Sequence, residues 1–423
     1  MAWRAWLTPG RRDSLLLVMA VTLAYGLDYL FNLAASRQLD SAELASVIAL
    51  NGLGQIAVVA SRVIQTVVTQ HTVRLRAGRA DLARMARFFR QANRLAWRWG
   101  GLVALGLGLL SPALARFLRI PDARPAAALA LAVWLMAVRP VAGGLLQGRQ
   151  QFGPLGVVQI VQAAARLGLG IALMAWGWGA TGAMLALPLA SLAAQGVNLA
   201  YLRDLGREEV DSAESVPWRE LATISTDAAL GLLGFAWLMN MDVILARRFF
   251  APDIAGVYSA AVILGRVVQF FPLAIILVML PKSAERQATD RDPAGVLLPA
   301  FLLVAALCGG VAALYFLWPA PLIRLTVGPA YVAAVSAGHL LGWVGVGMAL
   351  MSLANVWLNY FLALEQRLYI YLVWLAILLQ TVLFAFFHAN LLDFPRIIAA
   401  NGLWLTLAGG FLFWRARRRV NGG

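Results

Sequence analysis

Four arginines lie deep inside apolar stretches of this chain: Arg62, Arg139, Arg166 and Arg266. An ionised side chain at the centre of a bilayer costs about 2.5–3.5 kcal/mol on insertion scales, so such groups turn to water, a partner or a ligand. The guanidinium's planar fork of donors matches phosphate oxygens, so a cationic cavity points to an anionic headgroup, phosphate or pyrophosphate. Amides accompany the arginines at helical spacing. Asn51, Gln55, Arg62, Gln65 and Thr69 fall within about 40° of one line on a helical wheel. Gln159, Gln162 and Arg166 repeat the device, as do Ser191, Gln195 and Asn198, and Ser352, Asn355 and Asn359. Lipid would leave these groups unsatisfied, so the wet faces are expected to share a central cavity. The competing reading is structural, with amides bridging packed helices and arginines snorkelling or paired with Asp28, Asp227 or Asp242. The three aspartates are also candidates to exchange a proton or cation during transport. Helix capping is the stronger reading for Asp227, near the start of its span. Arg139 precedes Pro140 and has a kink as its alternative role.

Other chemistries find no residues. Cys308 is the single cysteine, so no intrachain disulfide forms, and His71, His339 and His388 are too far apart in sequence for a local metal motif. No metal or cofactor is expected. Gly106-Leu107-Gly108, Gly168-Leu169-Gly170 and Gly144 to Gly148 are read as close helix packing in preference to nucleotide loops. Lys282, the only lysine, follows Pro281 outside any G-x-x-x-x-G-K context, which excludes a P-loop ATPase. Energy must come from a gradient or from downstream consumption of the cargo.

The elements that position these residues are membrane helices. The chain is 61% hydrophobic and 13% charged over 423 residues, against about a quarter charged in a soluble domain. Apolar runs between charged or Pro/Gly punctuation give about twelve spans. They start near Ser14, Glu43, Leu95, Pro125, Gly153, Gly179, Arg219, Ile254, Val296, Tyr331, Leu368 and Arg396. The stretch from Ser14 to Ser36 is longer than a cleaved signal's apolar region and contains Asp28 and Asn32, so it is expected to remain as the first span. With both termini cytoplasmic, roughly two thirds of the 35 Lys and Arg fall inside. The net charge of +15 is thereby read as topology, with no nucleic-acid partner. Arg84, Arg87, Arg94 and Arg98 share a helix face ahead of the third span, which suits either a helix lying along the anionic inner leaflet or a solvated basic connector. An acidic stretch at mid-chain, with Glu208, Glu209, Asp211 and Glu214, reads as a linker. The expected division is 1–203, a linker at 204–218, and 219–423. A sparse internal repeat agrees with it: Ala35-Ser36-Arg37 aligns with Ala246-Arg247-Arg248, Leu39 with Phe250 and Ser41 with Pro252, each after a helix bearing Asp28 or Asp242.

From Met241 to Arg286 the sequence reads MDVILARRFFAPDIAGVYSAAVILGRVVQFFPLAIILVMLPKSAER. An Asp-bearing helix, a turn of the form G-P-x-x-x-G-x-Y-S-A-A and a helix closing in L-P-K closely resemble the polysaccharide-export (Wzx-like) flippases of the multidrug/oligosaccharidyl-lipid/polysaccharide (MOP) superfamily. Gly256, Tyr258, Ser259, Ala260, Ala261, Pro281 and Lys282 match, and Ala251 stands where Gly is usual. Gly143 to Phe152 is similar to the family's connector between helices four and five, whereas Leu39 to Ala49 carries Ala45 and Val47 in place of the expected Gly and Tyr. The resemblance implies an all-α polytopic fold of two pseudo-symmetric six-helix bundles in a MATE-like V, with helices one, two, seven and eight lining the cleft. Asp28, Arg62, Asp242 and Arg266 lie on those helices. It implies a non-enzymatic flippase in a bacterial inner membrane. The cargo would be an undecaprenyl-pyrophosphate oligosaccharide, an O-antigen or exopolysaccharide unit, carried to the outer leaflet by alternating access. Other polysaccharide-assembly proteins would be its partners. Twelve spans fit this group better than the fourteen-span lipid II flippases. The alternatives are a MATE-like drug or cation antiporter, which would favour an acidic cavity; a polysaccharide polymerase or ligase, which usually carries a large outer loop; and a non-transporting scaffold.

Overall fold

The computed structural model describes residues 9–77, 82–207, 226–270, 272, 275, 276, 279, 294–364 and 366–421; these form helices joined by short turns, with no strand among them. In hydrocarbon each backbone N–H and C=O needs a partner inside its own segment, which makes the helix the form open to these apolar runs. The first half contains α1 (Pro9–Gln38), α2 (Ser41–Ala77), α3 (Leu82–Leu109), α4 (Ser111–Phe117), α5 (Arg124–Gly148), α6 (Phe152–Leu173), α7 (Gly179–Tyr201) and α8 (Arg203–Arg207). The second contains α9 (Thr226–Leu238), α10 (Met241–Phe249), α11 (Pro252–Val268), α12 (Ala294–Leu317), α13 (Pro319–Leu325), α14 (Val332–Ser336), α15 (Leu340–Ala363), α16 (Leu368–Phe386) and α17 (Asp393–Asn421). Proline occupies the first turn of α4, α5, α11 and α13, where its missing N–H costs no hydrogen bond.

Among the described residues nine helices are long and apolar enough to cross a membrane, or ten when α3 and α4, bent by 52°, form one span. One of the nine, Phe152–Tyr201, is a hairpin of two. Gly177, at φ +84°, takes a left-handed conformation that side chains disfavour and breaks the run between α6 and α7. Gly170 faces Ala186 and Gln162 donates to Ser191, so the two helices run antiparallel. About twelve spans remain compatible with this arrangement.

Two compact units emerge, Met1–Leu39 with Leu53–Ser225, and Asp40–Gly52 with Thr226–Gly423. The start of α2 therefore packs with the C-terminal helices, although its sequence position places it in the first half. Ser41 Oγ donates to Asp253 O at 2.9 Å, Arg247 Nε donates to Ser46 Oγ at 3.3 Å, and Gly256 abuts Ser41 without room for a side chain. Residues 208–225, most of the expected linker, lie outside the described residues, as do Pro281 and Lys282.

In the first unit α6 packs against α1 and α7, and α5 against α3 and α7. The basic segment before the third span proves continuous with it: α3 is one helix from Leu82, and Met85, Phe88, Phe89 and Ala92 are buried against Val68, Val141, Leu145, Leu146 and Leu205. Much of its apolar side is taken by protein, while Leu82, Leu95 and Trp97 stay exposed. In the second unit α15 is central, packed by α11, α12 and α17. Gly342 meets Phe316, Gly345 meets Tyr315, and Gly402 of α17 meets Leu350, so small residues set the helix separations.

The polar end of the first unit is tied by Arg149. Its Nη2 donates to Asp204 Oδ2 at 2.7 Å, and Arg76 Nη1 donates to Arg149 O at 3.0 Å. Partial burial by itself would raise the Asp204 carboxyl. The hydrogen bond and charge of Arg149, with the N–H groups of Leu205 and Asp204, outweigh burial and hold the group below the usual carboxylate range.

Two outcomes are expected. Because the Asp204 pKa is lower folded than unfolded, the pair stabilises the fold above the ordinary carboxylate value and ceases to as pH falls through the folded one. Melting temperature in detergent should therefore drop more steeply below about pH 4 in the wild type than in Asp204→Asn; parallel curves would count against the pairing. Gly256→Ala drives a methyl against Ser41, whose carbonyl carbon stands 2.6 Å from the new Cβ, at an expected cost of about 1–3 kcal/mol. Gly309→Ala, which meets nothing within 4 Å, should leave the melting temperature unchanged or slightly higher.

Candidate functional site

The α1 and α6 helices lie side by side, Gly156 against Ala20 and Gly170 against Phe31, and this register brings Asp28 level with Arg166. Arg166 Nη1 donates to Asp28 Oδ1 at 3.0 Å; the arginine side chain is 11% exposed and the carboxylate 40%. The Arg166 guanidinium rests 4.4 Å from the centre of the Phe31 ring, so an aromatic face supports it from one side. Arg139, on α5, is close enough to Asp28 to feel its charge. Its Nη1 is buried and has no hydrogen-bond partner among the described residues. One carboxylate thus faces two guanidinium groups.

Next to this cluster a cavity of about 80 Å³ opens between α1 and α6, with Tyr25, Asp28, Gln159 and Gln162 as its polar lining. Gln162 Nε2 donates to Ser191 Oγ at 3.4 Å. Asn198 Nδ2 donates to Gln195 Oε1 at 3.3 Å, while Gln195 Nε2 and Asn198 Oδ1 stay buried without partners among the described residues.

The polar line on α2 does not form one wet face. Gln65 Nε2 donates to Gln147 Oε1 at 2.9 Å, and Thr69 Oγ1 lies 2.8 Å from Gln65 O and 3.2 Å from Gly144 O, so these two join α2 to α5. Gln55 and Arg62 are exposed, whereas Asn51 is buried in the other unit. Angular agreement on a wheel failed to report function here because a helix this long serves two packing environments along its length.

In the second unit the site gathers at a break in the seventh span, where α9 stops at Leu238 and α10 starts at Met241. The interruption frees carbonyls that lipid could not satisfy. Asn240 Nδ2 donates to Ala236 O at 2.8 Å, and Gln380 Nε2 donates to Leu238 O at 3.1 Å. Asn401 Nδ2 in turn donates to Gln380 Oε1 at 2.9 Å and to Ala376 O at 3.0 Å. Arg266 Nη2 donates to Asn240 Oδ1 at 3.1 Å. Asp242 is buried, accepts from Tyr258 Oη at 2.8 Å through Oδ2, and feels the charge of Arg266. Asn359 Nδ2 bonds back to Asn355 O and Oδ1, both at 2.9 Å, so that pair satisfies itself within α15. The Asp227 side chain lies outside the described residues.

Sequence reasoning did not take Tyr258, Arg247, Gln380 or Asn401 as site residues. The last two were within reach, since amides inside apolar spans were the criterion used elsewhere. Arg247, fully buried beside Ser46, entered the sequence reading only through the internal repeat, because it sits near a helix end.

Residues 97–287 match the model of a family described as polysaccharide biosynthesis protein. No curated protein matches the sequence. In structure the chain is similar to an inward-facing multidrug resistance MATE family transporter of the MOP superfamily, with a TM-score of 0.73 at 16% identity over 93% of this chain and 95% of that one. The chain has the MOP transporter fold. Similarity extends to the lipid II flippase MurJ in an inward closed conformation, at a TM-score of 0.72 and 12% identity over 94% of this chain and 87% of that one. It extends also to a MOP superfamily transporter from Pyrococcus furiosus described as having a binding pocket of reverse polarity, at 0.62 and 16% over 96% of each chain. The all-α fold with several membrane-length apolar helices expected from the sequence is found.

The stacking of Arg166 on Phe31 depends on Gly170. A Cβ there would strike the ring, with Cδ2 at 2.8 Å, whereas one at Gly168 would meet nothing within 4 Å. Gly170→Ala should lower the melting temperature, at an expected cost of about 1–3 kcal/mol, because the new methyl drives into the Phe31 ring. Gly168→Ala should melt as wild type does, and equal melting temperatures for the two would count against the Phe31 contact.

Proposed function

We propose that this MOP-fold transporter is a flippase for a lipid-linked oligosaccharide. Its cargo is an undecaprenyl-pyrophosphate O-antigen or exopolysaccharide unit. It carries this unit from the cytoplasmic to the outer leaflet of a bacterial inner membrane by alternating access, with both termini cytoplasmic and no bond-making step. The observation that carries the reading is Arg139, whose buried Nη1 lacks an acceptor beside an Asp28 already bonded to Arg166. Two guanidinium groups sharing one carboxylate in the membrane interior are costly. A pyrophosphate supplies the missing acceptors in the geometry a guanidinium fork prefers. Arg166 can exchange Asp28 for the cargo, and the carboxylate holds it in place between cycles. Arg266, bonded to the neutral Asn240, and Arg62, exposed on α2, are the further phosphate contacts in this scheme. Gln55, Gln159 and Gln162 are its polar lining. Asp28 and Asp242 are its coupling groups.

A drug or cation antiporter is the second reading, favoured by the partly exposed Asp28 carboxylate and by the MATE transporters of similar fold. Direct efflux of cationic drugs from proteoliposomes separates the two.

The test uses stability and activity together. An apolar chain of similar length in place of a buried charge that only shares a carboxylate relieves desolvation, so Arg139→Met should match or exceed the wild-type melting temperature. The same variant should flip fluorescent undecaprenyl-pyrophosphate oligosaccharide in liposomes at least about tenfold more slowly, equivalent to about 1.4 kcal/mol. Wild-type flipping by Arg139→Met would sink the assignment.

A further inference from the structure

We infer that the cavity between α1 and α6 is a sugar subsite that receives the hydroxyl edge of the monosaccharide attached to the pyrophosphate. This rests on the flippase reading and adds a division of labour within the first unit. Asp28 forms part of the cavity wall, whereas neither Arg139 nor Arg166 does. A carboxylate on the wall repels phosphate, so the anion belongs on the arginine side of Asp28 and a neutral group belongs in the cavity. The lining has the chemistry of polyol recognition. A sugar hydroxyl both donates and accepts, a carboxylate accepts, and each Gln amide offers two donors and an acceptor. Gln159 makes no side-chain hydrogen bond with any described residue, and Gln162 has only its 3.4 Å bond to Ser191. Gln195 lies level with Gln159 and Gln162 in the antiparallel hairpin and holds a buried, unpartnered Nε2.

Size and spacing agree. A cavity of about 80 Å³ takes roughly two or three waters, which is what a pair of vicinal hydroxyls would displace, and is too small for a whole oligosaccharide. Gln162 lies one helical turn from Arg166, roughly 6 Å along α6, a separation comparable to one sugar ring beyond its phosphate. A metal ion is a poorer occupant, because no group of three metal-ligating side chains occurs among the described residues. Sites built to hydrogen-bond a hydroxyl reject ligands that lack it far more strongly than apolar pockets reject a missing methylene. Gln159 and Gln162 are thereby specificity-determining residues.

The experiment measures binding of two lipids to the full chain in nanodiscs: undecaprenyl pyrophosphate alone, and the same lipid carrying one hexose. Gln159→Leu, which breaks no hydrogen bond, should lose tenfold or more in affinity for the hexose-bearing lipid and stay within twofold for the bare pyrophosphate. Gln162→Leu should behave likewise; should it fail to fold, Gln159→Leu carries the test alone. Arg139→Met should weaken both lipids equally. If Gln159→Leu weakens both lipids equally, or neither, the sugar subsite is wrong while an effect of Arg139→Met on both leaves the flippase reading standing. If the wild type binds neither lipid, both readings fall.

Discussion

The first unit must hold guanidinium charge inside a membrane span, and its packing follows from how that is done. Asp28, Arg166 and Phe31 come together because α1 and α6 approach closely at Ala20–Gly156 and at Phe31–Gly170. A larger residue at either glycine would separate the helices and break the alignment of carboxylate, guanidinium and ring. The arrangement pairs Arg166 Nη1 with Asp28 and leaves Arg139 Nη1 short of an acceptor. A site selected for stability alone would pair or remove that charge, since buried ions gain little from incomplete pairing. A retained deficit of this kind suits a ligand that brings its own negative oxygens.

The second unit faces a different difficulty, a broken span. Its freed carbonyls at Ala236 and Leu238 are taken by Asn240 and Gln380, and Asn401 orients Gln380. The amides here act as structural staples of an irregular backbone. Interrupted helices of this type are where transporters place ions and substrates, and Asp242, Tyr258 and Arg266 gather beside the break. Residue type therefore does not separate the two roles. Gln162 and Gln380 are both intramembrane glutamines, yet one faces a cavity and the other closes a backbone gap.

The element map was legible in the sequence because apolar run length against bilayer thickness is a strong constraint. The starts expected near Ile254, Leu368 and Arg396 fall within a few residues of α11, α16 and α17. The packing of α3 was not legible, because a basic face looks the same whether its apolar side meets lipid or Val141, Leu145 and Leu146. The α2 stripe failed for a related reason, since Gln65 and Thr69 answer to α5 while Gln55 and Arg62 do not.

By itself the sequence determined a helical chain of several membrane-length apolar spans with ionisable groups inside them, because composition and run length are properties of the chain. Which of those groups meet was decided only by the tertiary structure. Asp28 and Arg166 are far apart in the chain and touch through one helix register, whereas Arg62 shares its residue type and ends exposed. Partnership depends on which helix faces pack and at what level, and small residues at a few crossings set that geometry without leaving a periodic signal.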